Sequence, residues 1–224
     1  MERTNILVVT TKSWNITNFN KYKKDNWFLI TEKHEFTYEN VSKINPKYIF
    51  IPHWSWIIGE NIWNNFECVV FHMADLPYGR WWSPLQNQIV RGIKNTKISA
   101  IKIDAWIDTG DIYLKKDVSL LWNANEIFMR ASEIIFSEMI PYILDKQPIP
   151  VIQEWEILEF KRRKKEDWEI KEDFTLEKTY DYIRMLDGEW YPPAFIKFWN
   201  KILEFSEASL ENNELIAKVK FTHF

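Results

Sequence analysis

The sequence predicts an α/β protein built on a mostly parallel sheet, followed by a small β-rich unit at the C-terminus. Three patterns lead there. Short runs rich in β-branched and aromatic residues recur at crossover spacing through the first half of the chain, and one long stretch of helical periodicity follows them. Beyond a basic run near residue 160 the pattern changes to a helix and paired strands.

NILVVT (5–10), WFLIT (27–31), KYIFIPH (47–53) and CVVFH (68–72) read as buried parallel strands, because they are apolar on both faces. KISAIKID (97–104) is a further strand, and the turn AWIDTGD leads from it into an antiparallel return, DIYLKKDVSL (111–120). Residues 124–144 place Ile127, Phe128, Ala131, Ile134, Ile135 and Met139 at helical spacing, so they form one amphipathic helix that Pro141 ends or kinks. TLEKTYDYIRML is a second helix, and KILEFSEASL and ELIAKVKF pair as a hairpin around ENN. The shift after QPIPVIQ divides the chain into a catalytic domain, 1–148, and a small α+β extension, 149–224.

At 224 residues with a net charge of -3, the chain has a substantial core and no global attraction for polyphosphate. This predicts no nucleic-acid partner, and the run Lys161 to Lys165, beside Glu166 and Asp167, reads as a solvated loop. The apolar run in MERTNILVVTTKSW is too short for a signal or a membrane span, which predicts a cytoplasmic protein with no membrane partner. Cys68 is the single cysteine, so there is no internal disulfide and no thiolate-rich metal site; within CVVF it is a core residue.

HWSW (53–56), HMADLPYGR (72–80) and DAWIDTGD (104–111) all fall at strand ends, where α/β sheets gather their ligands. Singly, they read as aromatic packing, a core histidine and a turn-forming aspartate. In this order they resemble the N10-formyltetrahydrofolate-dependent formyltransferases. That family's pattern is a strand ending in Asn-x-His-Pro-Ser, then Leu-Leu-Pro, a Tyr-Arg-Gly loop and a helix, with Asp-x-Gly after the next strand. His72, Leu76, Pro77, Arg80 and Pro84 keep the register, and IDTGD supplies Asp108 and Gly110. HWSWII, SPLQN and IRMLDGEWYPPAFI extend the resemblance to sugar-nucleotide N-formyltransferases of the pseudaminic-acid type.

The resemblance implies a Rossmann-like formyltransferase fold and formyl transfer from N10-formyltetrahydrofolate to the amine of a nucleotide-linked deoxyamino sugar, by a homodimer. Such transfer passes through a tetrahedral intermediate and needs a donor for the oxyanion and an acceptor for the ammonium proton. His72 is the implied donor, with Asp108 as its orienting partner and the proton acceptor. Trp54, Ser55, Trp56, Ile57 and Ile58, with Ile103, Asp104, Ala105 and Ile107, are the implied folate site, a slot with apolar walls for a flat pterin. Arg80, Ser83, Gln86 and Asn87 are the implied substrate contacts. The family's asparagine two residues before the histidine is here Val70, which donates nothing; Asn87 and His53 are candidates to replace it. Beside this reading stand three others: methionyl-tRNA formyltransferase, which carries a C-terminal domain and a basic RNA face; hydrolytic release of formate; and a folate- or nucleotide-binding protein without turnover.

Tryptophan occurs 13 times and glycine only 5 times. Against the family pattern, Trp81, Trp82, Trp106, Trp122, Trp155, Trp190 and Trp199 stand where glycine is expected, and the other six tryptophans fit without correction. Seven separate changes from the smallest side chain to the largest, all at turns, point to one cause. UGA encodes glycine in some bacterial lineages and tryptophan in others, so the expectation is a gene read with the wrong table. Restoring the seven would give 12 glycines and 6 tryptophans.

Overall fold

The computed structural model describes residues 3–223. β1 (Ile6–Val9), α1 (Ser13–Tyr22), β2 (Trp27–Ile30), α2 (Tyr38–Ile44), β3 (Tyr48–Pro52), α3 (Glu60–Trp63) and β4 (Glu67–His72) alternate as expected for parallel crossovers. β5 (Tyr78–Trp81), α4 (Pro84–Ile89), β6 (Asn95–Lys102) and β7 (Ile112–Ser119) follow. The main sheet has the order β2-β1-β3-β4-β6-β7. β1 pairs parallel with β2 and β3, and β3 with β4. The fold is therefore the mostly parallel α/β architecture that the sequence predicts, with β6 running antiparallel to β4. The apolar runs explain the burial, since every residue of β1 and β3 is buried.

The long helix is α5 (Ala124–Ile134), a π turn over Ile135–Met139, and α6 (Ile140–Lys146). Pro141 does not end it. A proline ring clashes with the carbonyl four residues earlier, and the widened π turn just ahead lets the helix continue past it. β8 (Leu158–Phe160) pairs with β5, and α7 (Leu176–Arg184) precedes β9 (Ala194–Phe198), β10 (Lys201–Glu211) and β11 (Glu214–His223). These last three form an antiparallel sheet. The chain divides into two compact units: residues up to Arg80 with Lys97–Val118 and Phe128–Glu159, and Trp81–Thr96 with Ser119–Ile127 and the chain from Phe160 onward. Among the described residues no helix is long and apolar enough to cross a membrane. Burial pushes the Cys68 thiol up to about 12, as befits a core cysteine.

Two hairpin turns in the C-terminal sheet bear on the tryptophans. Asn212 and Asn213 join β10 to β11 with φ of 51° and 61°, values that asparagine tolerates. The two-residue turn from β9 to β10 begins at Trp199, whose φ is 54°, a position that such turns fill with glycine. Trp81, Trp155 and Trp190 likewise have φ of 82°, 100° and 77°. Thus four of the seven suspect tryptophans hold a left-handed backbone; none of the other six does. Trp155 and Trp199 are also 87% exposed, whereas Trp14 and Trp168 are each 7% exposed.

A bulky residue at positive φ costs roughly 1–3 kcal/mol, partly offset by the ~0.5–1 kcal/mol of chain entropy that glycine gives up on folding. Trp155→Gly and Trp199→Gly should each therefore stabilise by about 1 kcal/mol and raise Tm by about 2–4 °C in calorimetry. Trp14→Gly should destabilise by several kcal/mol, on the scale of other buried aromatic truncations. The gene should carry UGA at the seven positions and UGG at the other six; UGG at most of the seven would make the tryptophans genuine.

Candidate active site

His72 ends β4 and is 8% exposed. Strand alternation puts Val70 on the same face. Past His72 the chain turns sharply and is fixed by Ser99, whose hydroxyl donates to the Ala74 carbonyl (2.7 Å) and accepts from the Leu76 N–H (3.3 Å). Gly79 then takes φ 81° and accepts a hydrogen bond from His72 Nε2 at 2.7 Å through its carbonyl. A carbonyl only accepts, so the proton resides on Nε2, and Nδ1 is left to face Asp108.

Asp108 arrives by an unexpected route. Antiparallel pairing sets the end of β6, Lys102, opposite Val69, three residues before His72. That is roughly 10 Å at strand rise, so the two residues do not simply meet at neighbouring strand ends. The loop 103–111 spans the interval. The Asp104 carboxylate accepts from the Trp106 N–H (3.0 Å) and the Thr109 hydroxyl (2.7 Å) and so organises the loop internally. Gly110 closes it: a Cβ there would lie 1.7 Å from the Lys102 carbonyl oxygen, so no other residue fits this backbone. Asp108 itself has φ 57°, and that strained conformation brings Oδ2 to 3.4 Å from His72 Nδ1. Both side chains are nearly enclosed, 9% and 14% exposed. Nδ1 and the carboxylate thus form a pair with room for one shared proton, suited to general acid/base work.

Beside this pair, Trp54, Ile58, Val70 and Ile103 pack, partly buried, against the core formed by Leu7, Ile51 and Cys68 among others. Around them Ser55, Trp56 and Ala105 are exposed, Ile107 is half-exposed, and Ile57 and Trp106 are 90% and 77% exposed. Trp54 and Trp56 meet edge to face at 4.8 Å. Exposed apolar groups on two loops over an apolar floor are what a flat ring system would cover. Val70 belongs to this floor.

His53 sits with its ring 4.3 Å from Phe128 and 5.5 Å from Trp14, and burial lowers its pKa to about 3. It is a neutral packing residue. Arg80 is 9% exposed and donates from Nε and Nη2 to Gln153 Oε1 (3.0 and 2.8 Å). Gln153 Nε2 in turn donates to the carbonyls of Asp108 and Gly110, both at 2.8 Å. The sequence offers no sign of Gln153 beyond a polar residue closing the run PVIQ.

In the second unit, Ser83 has φ 49° and precedes α4 without capping it through its side chain. Gln86 is fully buried and donates to the Met185 carbonyl (3.2 Å). The Asn87 amide reaches the carbonyls of Trp82, Ser83 and Lys161 (3.0, 3.2 and 3.1 Å). These two amides hold α4 and its loop in place.

An α/β sheet with a histidine–aspartate pair beside an apolar slot is suited to general acid/base chemistry on a bound ring compound. Residues 165–222 match the model of the methionyl-tRNA formyltransferase C-terminal domain. The chain is 59% identical to the solved structure of methionyl-tRNA formyltransferase from Clostridium thermocellum, covering 99% of this chain and 100% of that one with a TM-score of 0.96. It is 28% identical over 196 residues to methionyl-tRNA formyltransferase from Dictyoglomus turgidum, spanning 80% of this chain and 60% of that relative's length. Two further structures share the fold alone. HypX from Aquifex aeolicus in complex with tetrahydrofolic acid has 15% identity and a TM-score of 0.77, covering 94% of this chain and 38% of that one. A sugar N-formyltransferase from a Shewanella species has 13% identity and a TM-score of 0.65, covering 97% of each chain. The chain belongs to the methionyl-tRNA formyltransferase family.

This corrects two expectations. The amino-sugar substrate is overturned by the end-to-end likeness to a methionyl-tRNA enzyme, with the sugar enzyme only a distant neighbour. The exclusion of nucleic acid falls with it, because residues 165–222 match the C-terminal domain of the tRNA enzymes. Net charge misled because it sums the whole surface and says nothing of where the charges lie.

His53 also makes a pH prediction. Its folded pKa lies below the ordinary 6.5, so its contribution to stability is complete above pH 6.5 and is lost as pH falls toward 3. Urea unfolding at pH 7 and pH 4 should show the wild type losing about 2–3 kcal/mol more than His53→Phe between the two. Equal losses would mean that the ring is solvated.

Proposed function

We propose that the protein transfers a formyl group to the α-amino group of methionine esterified to tRNA. The observation that carries this reading is the 59% identity, over essentially the whole of both chains, to a methionyl-tRNA formyltransferase. Bound N10-formyltetrahydrofolate supplies the reactive formyl carbon, and the slot of Trp54, Ile58, Val70 and Ile103, flanked by exposed Ile57 and Trp106, fits its ring. His72, its ring held through Nε2 by the Gly79 carbonyl and oriented by Asp108, donates from Nδ1 to the oxygen on which negative charge develops once Nδ1 has gained a proton from the reacting amine. Asp108 takes the proton that the amine sheds as it attacks and becomes an ammonium, shares it with His72 Nδ1, and the pair returns it to the N10 that leaves with tetrahydrofolate. Enclosure of both side chains keeps water from competing with the amine. Exposed Lys161, Arg162, Lys164 and Lys165 meet tRNA phosphates, a contact that salt weakens.

The test is formation of N-formylmethionyl-tRNA from N10-formyltetrahydrofolate and charged tRNA, resolved by acid gel or mass spectrometry. His72→Ala and Asp108→Asn should each lower kcat at least ~100-fold with little change in Tm, the scale of lost acid/base groups. Retention of a tenth of the wild-type kcat would remove those roles. Replacing the four basic residues with serine should raise KM for tRNA while leaving kcat near wild type and flattening its salt dependence. Formylation unaffected by those replacements would move the tRNA contact elsewhere.

A further inference from the structure

We propose that Gln153 is the positioning residue of this site, closing a ring of hydrogen bonds that fixes Asp108 relative to His72. The inference rests on the formyl-transfer reading above. The ring can be followed atom by atom. His72 Nε2 donates to the Gly79 carbonyl at 2.7 Å, and the next residue, Arg80, donates twice to Gln153 Oε1 at 3.0 and 2.8 Å. Gln153 Nε2 donates to the Asp108 and Gly110 carbonyls at 2.8 Å each, and the Asp108 carboxylate returns to His72 Nδ1 at 3.4 Å.

Two features make this more than loop packing. All four hydrogen-bonding positions of the amide are used, and its orientation is forced: a guanidinium only donates and a carbonyl only accepts, so the amide cannot be flipped. It also clasps the carbonyls on either side of Thr109, one of them belonging to Asp108 at φ 57°. A side chain held by a strained backbone keeps its aim only while its surroundings over-determine that backbone. Gln153 comes from the irregular segment before β8, remote in sequence from both the histidine and the aspartate, and provides that determination.

The role is tested with three variants. Gln153→Ala should lower kcat ~10- to 100-fold, as expected of a misplaced acid/base group, while KM for tRNA and for N10-formyltetrahydrofolate changes less than about threefold. Gln153→Glu keeps the acceptor for Arg80 but sets an oxygen against two carbonyls, so it should lose as much kcat as alanine. In an Asp108→Asn background, Gln153→Ala should cost less than about twofold, because the group it positions is already gone. Wild-type-like kcat for Gln153→Glu, or full additivity with Asp108→Asn, would overturn the proposal in favour of a structural role.

A readout independent of turnover separates this from failure of the formyl-transfer reading. In 15N-correlated spectra the His72 ring, assigned by its loss in His72→Gln, should keep its proton on Nε2 in both proteins, while the Nδ1 resonance, which faces the Asp108 carboxylate, should shift in Gln153→Ala. An unchanged ring would overturn the proposal whatever the enzyme's substrate; a changed ring in a protein that does not formylate methionyl-tRNA would uphold the positioning and remove the substrate.

Discussion

The close approach of Gly110 to the Lys102 carbonyl is the constraint on which the site depends. Because β6 runs antiparallel to β4, the chain leaves the sheet level with Val69 and must double back to reach His72. It does so in a loop tight enough that Lys102 N–H bonds to the Asp111 carbonyl at 2.9 Å while residue 110 lies against the Lys102 oxygen. A Cβ at that point would open the loop and swing Asp108 away. The histidine is fixed by the sheet, but its partner is fixed only by this turn and by the groups that clasp it.

Glycine scarcity gives the same constraint a wider meaning. The fold asks for left-handed backbone at Gly79, where a carbonyl must meet the histidine ring, and at several other turns. Where the chain supplies glycine or asparagine, the geometry is met at little cost; where it supplies Trp81, Trp155, Trp190 and Trp199, the backbone takes the same conformation against the preference of the side chain. That the fold demands glycine at these four places, independently of any sequence pattern, is why local propensity fails there and why the mismatch is better attributed to the reading of the gene than to the design of the protein. Trp82, Trp106 and Trp122 have no positive φ, so for them the family pattern alone speaks.

Much of the architecture was legible in the sequence. The first four strands were, because buried parallel strands are apolar on both faces and stand out without alternation. The C-terminal hairpin was, because Asn-Asn between two β-rich runs is a turn signal with a mechanism. His72 and Asp108 were paired through the family resemblance, and the structure brings them to 3.4 Å. Strand direction was not legible, since periodicity carries no polarity, and so the detour of the 103–111 loop was missed. Gln86 and Asn87, implied as substrate contacts by the resemblance, donate from their amides to backbone carbonyls here. Gln153 escaped because its importance lies in partners far away in the chain. The substrate was misread because a charge total has no location.

The 3.4 Å between His72 Nδ1 and Asp108 is itself informative. It is longer than an ordinary charge-assisted hydrogen bond of about 2.7–2.9 Å, although both groups are enclosed and each is clasped from behind. The remaining gap is therefore not slack in the supporting loops, which Gly79, Gly110 and Gln153 hold at 2.7–2.8 Å. It separates two acceptors, because the ring proton is held on Nε2 by the Gly79 carbonyl and none lies between Nδ1 and the carboxylate. In the proposed formyl transfer, the proton shed by the amine would fill that gap and turn two opposed acceptors into a hydrogen-bonded pair.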